Sequence, residues 1–213
     1  MASGTDVPRE RITGLILAGG RATRMEQRDK GLQPFAGRPL VAHAIARLAP
    51  QVGPLAININ RNQALYAPFG LPLWPDLDAG FAGPLAGLQA GMQHCATPYL
   101  LSVPCDSPLL PPDLATRLWS ALQAEGADLA IAATRDSSVA ADGMHPSLQP
   151  HPVFCLLKTT LLSQLNAYMD GGGRKMQSWM KSQAMVEVIF DDATAFSNIN
   201  TLQELQQFER RPP

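Results

Sequence analysis

The chain has 213 residues, 46% of them hydrophobic, and can bury roughly 70% of the surface its unfolded form would expose, so one ordinary globular domain without disulfide support is expected. With 17 basic and 18 acidic residues the net charge is -1, which excludes a chain-wide attraction to nucleic acid and leaves any anion to be held by a local cluster. Cys95, Cys105 and Cys155 are widely spaced and form no Cys-x-x-Cys, which speaks against a disulfide framework or zinc site and for a reducing, cytoplasmic setting; no apolar run approaches the ~18 residues of a membrane span.

Residues 1–11 include Asp6, Arg9, Glu10 and Arg11 and no long apolar stretch, so a loose leader is expected there, with a single domain over 12–213. The first candidate strand, 12–18, is short, apolar and bounded by turn formers. It runs into Gly19-Gly20, where the backbone can turn sharply with its N–H groups open, and Arg21, Arg24 and Lys30 then supply positive charge. Such a segment suits phosphate, although its spacing is neither that of a P-loop nor that of a dinucleotide fingerprint, and a plain tight turn is the alternative. Leu40, Val41, Ala44, Ile45 and Leu48 recur at helical spacing, Pro50 closes that helix, and 55–59 reads as the second strand.

Gly83, Gly87 and Gly91 stand four residues apart, on one face of the helix expected there. Glycine weakens a helix by about 1 kcal/mol relative to alanine, so the series needs a reason. Either the helix packs closely on the sheet, or a nucleobase lies against its N-terminal end, where Gly83 and Pro84 begin it and its dipole favours anions. The third strand, 99–103, leads into Asp106 and then Ser107-Pro108. In an open α/β sheet ligands bind beyond the carboxyl ends of the strands, and one carboxylate there is a normal partner for Mg²⁺ whose other ligands are waters and phosphates. A helix cap or a turn residue is the other reading of Asp106; its pairing with the glycine loop and Lys30 favours the first.

A helix is expected after Pro112, with Leu114, Leu118, Ala121 and Leu122 on one face and Gly126 as its stop. Strands are expected at 128–133, 153–157 and 185–190, with 142–152 as an aperiodic loop. Thr201-Leu-Gln-Glu204 is a capping box opening a C-terminal helix, the cap worth about 1 kcal/mol. Strands alternating with helices imply an α/β protein with a mostly parallel sheet. His43 and His94 have no partner at metal-ligand spacing, and Cys105 is expected to pack rather than act as a nucleophile.

Taken together, Leu17-Ala-Gly-Gly20, Arg24-Met25, Asp29-Lys-Gly31, Gly37-Arg-Pro-Leu40, Asn58-Ile-Asn-Arg61, Gly83-Pro-Leu-Ala-Gly87, Pro104-Cys-Asp-Ser-Pro108 and Phe196-Ser-Asn-Ile-Asn-Thr201 resemble the GT-A type nucleotidyltransferases, most closely the molybdenum cofactor guanylyltransferases. The likeness spans nearly the whole chain. It implies a single Rossmann-like three-layer α/β domain with a mostly parallel, mixed sheet of the nucleotide-diphospho-sugar transferase type, a nucleotide-binding half at about 12–110 and an acceptor-binding half at about 111–213. It further implies transfer of GMP from GTP to molybdenum-bound molybdopterin with Mg²⁺ as cofactor. Leu17, Ala18, Gly19, Gly20, Lys30, Asn58, Asp76 and Asp106 match its GTP-binding positions, Asp106 its metal ligand, and Arg24, Lys30 and Asp106 its catalytic set. Asn198 and Asn200 match an Asn-x-Asn on the acceptor side, and Arg174 and Lys175 are candidates for an anionic pterin phosphate, a solvated turn being their alternative. Molybdenum-insertion proteins and molybdoenzyme maturation chaperones are the implied protein partners. Leu202 departs from the family's usual proline, and 142–151 exceeds the expected loop length. A pterin cytidylyltransferase, a sugar-phosphate nucleotidyltransferase and a non-catalytic nucleotide-binding module are the competing readings; Leu17-Ala-Gly-Gly20 resembles the guanine-selective form.

Overall fold

A computed structural model describes residues 7–19, 29–78, 83–135 and 147–199. Its centre is a sheet of β1 (Ile12–Leu17), β4 (Leu55–Asn58), β5 (Leu73–Trp74), β6 (Tyr99–Pro104), β7 (Leu129–Arg135), β8 (Leu148–Lys158) and β9 (Met185–Phe190), in the order β5-β4-β1-β6-β8-β7-β9. A separate two-stranded hairpin joins β2 (Pro34–Phe35) to β3 (Arg38–Pro39). Within the large sheet β8 alone runs antiparallel to its neighbours β6 and β7, so the sheet is mixed but mostly parallel, as expected.

The apolar runs read as strands because both faces are covered. Ile12 and Ile16 on one face and Leu15 on the other have no exposure, and the same alternation separates Leu101 from Leu100 and Ala130 from Leu129. One core takes in α1 (Leu40–Leu48) and α4 (Leu114–Ala124), together with Tyr66 of α2 (Gln63–Tyr66). The other takes in α3 (Pro84–His94), α5 (Leu162–Asp170) and α6 (Met176–Lys181). Helix, sheet, helix is the three-layer arrangement. Among the described residues no helix is long and apolar enough to cross a membrane.

Several expectations need correction. Residues 148–152 are not loop: they begin β8, where Leu148, Gln149, Pro150 and His151 face Arg135, Thr134, Ala133 and Ala132. The prolines fit because β6 pairs only with 155–158, leaving one side of the early strand open, and because a register shift falls between Ile131 and Ala132. The α4 helix starts at Leu114 with Asp113 as its cap, so Pro112 lies just outside it. Proline disfavours helical backbone in the residue before it, which keeps Pro111 out as well. Of the leader, the described part is docked: Val7 packs on the core, and Arg9–Arg11 form a turn whose backbone lies against Gly53. The capping box at Thr201 lies outside the described residues.

Of the glycine series, Gly87 and Gly91 of α3 reflect close packing, whereas Gly83 precedes the helix at a positive φ and a Cβ there would meet nothing. A Cβ at Gly91 would press on Leu15 Cδ2 and meet Leu100 Cδ2 at 2.9 Å, both in side chains without exposure. Gly91→Ala is therefore expected to destabilise the protein by about 1–2 kcal/mol, overpacking exceeding the gain in helix propensity. A Tm by scanning calorimetry that stays level or rises would contradict that packing.

Candidate active site

The chain crosses from β1 to β4 and β5 on one side and returns to β6 on the other, so the strand order reverses between β1 and β6. Their carboxyl ends open a crevice there. Ala18 leaves β1 with its amide on the Asn58 carbonyl at 2.9 Å, and Cys105 leaves β6 with its amide on the Leu17 carbonyl at 3.1 Å, so the two exits are stitched together. Next to Cys105, the Asp106 side chain is 11% exposed and accepts Lys30 Nζ on Oδ2 at 3.0 Å. Residues 76 positions apart in sequence thus form one ion pair at the switch point.

Lys30 opens a 3-10 turn, Lys30–Leu32, capped by Asp29, whose Oδ1 accepts the Gly31 amide at 3.2 Å. Tyr66 Oη donates to the same oxygen at 2.5 Å and Asn62 Nδ2 to Oδ2 at 3.2 Å. Burial, with smaller contributions from Cys105 and Asp29, holds the Tyr66 phenol far above its ordinary range, so it is a fixed donor. Burial also pushes the Cys105 thiol well up, in keeping with a packing role.

Beside this pair lies a wall of acceptors. Asn58 Nδ2 donates to the Trp74 carbonyl and to Asp76 Oδ1, both at 2.9 Å. Because both partners are acceptors, the amide orientation is fixed by chemistry, and Asn58 Oδ1 faces Gly19 and Gly87, where added Cβ atoms would come within 2.9 and 2.6 Å of it. Asn60 Nδ2 donates to Asp76 Oδ2 at 2.7 Å and to the Gly19 carbonyl at 3.4 Å, while Asp76 N donates to Asn60 Oδ1 at 2.8 Å. The N-terminus of α3, beginning after Gly83 with φ of +138°, lies at the same end of the sheet. Of the expected GTP-binding set, then, Leu17, Ala18, Gly19, Lys30, Asn58, Asp76 and Asp106 gather at these strand ends, whereas Gly20 and the catalytic candidate Arg24 lie outside the described residues.

Toward the C-terminal end of the described residues, the 3-10 turn Ala193–Phe196 is pinned by Phe196, which packs against Phe154, Phe190 and His151 with centroids 4.9, 5.0 and 4.8 Å away. The chain then delivers Asn198, whose Oδ1 accepts Ser107 Oγ at 2.7 Å, and Ile199, whose amide donates to the Asp106 carbonyl at 2.9 Å. Asn198 therefore belongs beside Asp106; Asn200 lies outside the described residues. Arg174 Nη1 donates to the Met169 and Gly173 carbonyls at 2.8 and 2.7 Å, binding the C-terminal end of α5. Since β8 descends to the amino end of β6, α5 climbs back, bringing Arg174 and Lys175 to the same end of the sheet as Asp106.

His151 stacks on Phe196 at 17° and its Nε2 lies 2.9 Å from Thr134 Oγ1. Burial holds its pKa below the ordinary 6.5, so the unfolded chain takes up a proton that the folded one refuses. Stability is full above the unfolded value and falls as pH drops below it toward the folded one. His151→Gln, which keeps a partner for Thr134, should flatten the urea midpoint between about pH 5 and 7. An unchanged slope would place the acid sensitivity elsewhere.

Sequence reasoning passed over Asn60, Tyr66 and Ser107. For Asn60 a signal existed, since Asn58 and Asn60 flank one residue at a strand end and so turn to the same side. Tyr66 and Ser107 meet their partners only through the tertiary fold.

A doubly wound sheet with a lysine and an aspartate paired at its switch point, next to an acceptor-lined crevice, defines a nucleotide-handling α/β protein of the nucleotidyltransferase class. Residues 14–187 match the family described as MobA-like NTP transferase domain, and the chain belongs to that family. The molybdenum cofactor guanylyltransferase of Cupriavidus necator is 54% identical over 205 residues, covering 96% of this chain and 100% of that one. The protein of the same name from Ralstonia nicotianae is 51% identical over 205 residues, covering 96% and 99%. The molybdopterin-guanine dinucleotide biosynthesis protein A of Archaeoglobus fulgidus shares the fold, with a TM-score of 0.73 over 92% of this chain and 96% of its own at 19% identity.

Proposed function

We propose that this chain transfers GMP from GTP to the terminal phosphate of molybdenum-bound molybdopterin in the cytoplasm, its product passing to molybdenum-insertion proteins or molybdoenzyme maturation chaperones. The observation that carries this reading is the Lys30–Asp106 pair at the switch point, beside a wall formed by Asn58 and Asp76. The full-length likeness to proteins named molybdenum cofactor guanylyltransferase supports the choice of substrates.

In the reaction an acceptor phosphate oxygen forms a bond to the α-phosphorus of GTP as the bond to the bridging oxygen breaks, and pyrophosphate leaves with that electron pair. In-line displacement needs positioning and charge neutralisation more than acid or base groups. Lys30, with Arg24 of the preceding loop, would offset charge on the departing phosphates, and the Gly19-Gly20 amides would cradle them. The guanine edge offers two donors, N1–H and N2–H₂, to the carboxylate of Asp76, which Asn58 and Asn60 hold in place, whereas cytosine offers only its amino group there. Asn198, Asn200, Arg174 and Lys175 would serve the acceptor, dividing the chain into a nucleotide half at about 12–110 and an acceptor half at about 111–213.

The donor set at Asp106 fits Mg²⁺ of a particular kind. Among the described residues no group of three or more His, Cys, Asp or Glu could cage a metal, so a single carboxylate would hold an ion completed by water and nucleotide phosphate. When bound, Mg²⁺ would supply Lewis-acid neutralisation of phosphate charge.

Calorimetric titration with GTP, CTP, UTP and ATP in the presence of Mg²⁺, followed by assay of GMP transfer, tests the reading. GTP should bind at least about tenfold tighter than the others, the equivalent of one charge-assisted hydrogen bond. Preference for CTP would favour a cytidylyltransferase, and absence of nucleotide binding a non-catalytic module.

A further inference from the structure

Lys30 approaches Asp106 from a short turn rather than from a strand, and its long stem could sample many positions. One buried hydroxyl locates that turn. Tyr66 has no exposure, and its ring packs beside Phe69 at 6.0 Å between centroids. The phenol oxygen meets Asp29 Oδ1 at 2.5 Å, and Asp29 in turn caps the turn through the Gly31 amide. Contact between turn and hydroxyl is close: a Cβ at Gly31 would collide with Tyr66 Oη and sit 3.4 Å from Cys105 Sγ. Asn62 adds a second hold on the far carboxylate oxygen of Asp29.

We infer that Tyr66 is a positioning residue for nucleotide transfer, fixing Lys30 opposite Asp106 through Asp29. The inference rests on the reading of Lys30 as a phosphate-binding group. Asn58, Asn60, Asn62 and Tyr66 all belong to β4 and the connection that follows it, so one segment holds both the acceptor wall at Asp76 and the turn bearing the lysine. A nucleotide whose base fills the crevice then meets the lysine already in place. Displacement of such a group by about 1 Å can cost on the order of 10²-fold in rate.

A double-mutant cycle on the full chain tests this, with Tyr66→Phe, Lys30→Ala and the combined variant assayed for GTP binding and for pyrophosphate release on addition of acceptor. Tyr66→Phe keeps the ring and removes only the hydroxyl. Transfer by this variant should fall about 10- to 100-fold with the preference for GTP over ITP intact, and the same change in the Lys30→Ala background should cost less than about twofold. Effects that multiply in the combined variant would show that Tyr66 acts independently of Lys30 and overturn the inference. So would a Tyr66→Phe enzyme within about twofold of the parent, a range far short of the loss expected from a displaced group. If Lys30→Ala alone binds and transfers like the parent, the phosphate reading of Lys30 falls, and this inference with it. Should Tyr66→Phe not fold, Asp29→Asn, on the half-exposed side of the same contact, runs the same cycle with the same expectation.

Discussion

Asp106→Ala is expected to reduce GMP transfer by about 10³-fold or more while leaving the protein folded. Neutralisation of phosphate charge by a bound divalent ion is worth several kcal/mol, at about 1.4 kcal/mol per factor of ten in rate. The carboxylate sits just past the end of β6, and among the described residues it belongs to no group of three or more metal-ligating side chains, so the ion would depend on it directly. Its cost to folding is modest, because the Lys30 side chain it leaves is 31% exposed and can turn to water rather than stay buried without its charge partner. Melting temperature and steady-state transfer, measured on the same preparation, separate the two effects. A folded variant within tenfold of parental activity would remove Asp106 from the reaction.

The second large effect is expected at Asp76, where base choice rather than rate should change. Asn58 and Asn60 hold its two carboxylate oxygens from one side, and a carboxylate has lone pairs left for the two donors of guanine. Hydrogen bonds to charged groups contribute about 1.5–3 kcal/mol, so Asp76→Ala should weaken GTP binding about 10- to 100-fold. ITP, which lacks the 2-amino group, provides the control: the parent should prefer GTP over ITP, and the variant should bind both alike. If the variant loses affinity but keeps the parental ratio, Asp76 supports the crevice without reading the base.

Much of this architecture is legible in the sequence because it depends on local pattern. The six apolar runs are all strands: five lie in parallel strands, and 153–157 falls in the antiparallel β8, whose Phe154–Leu157 stretch is likewise covered on both faces; Asp106 follows directly where a proline turn ends the third run. The shortest elements are not legible. Strand β5 and the β2–β3 hairpin have two residues per strand and α2 has four, too few to show a period. The N-terminal half of β8 is disguised by Pro150 and Pro152, which matter only on a side that the strand leaves open. Helix α5 carries Leu162, Leu165, Tyr168 and Met169 at helical spacing, so its period was available to be read. The tie from Tyr66 to Asp29 spans 37 positions and exists only once α2 has docked, which no local pattern can reveal.

The single reversed strand in the sheet has an electrostatic consequence. By descending to the amino end, β8 makes α5 rise where α3 falls, and the two helices lie side by side through Gln89 and Asn166, 2.8 Å apart. The mouth of the crevice is therefore flanked by the positive end of one helix dipole and the negative end of the other, each equivalent to about half an elementary charge. A triphosphate arriving there meets a gradient that draws it toward α3 and away from α5. Arg174, bonded to the Met169 carbonyl in the last turn of α5, softens the repelling end.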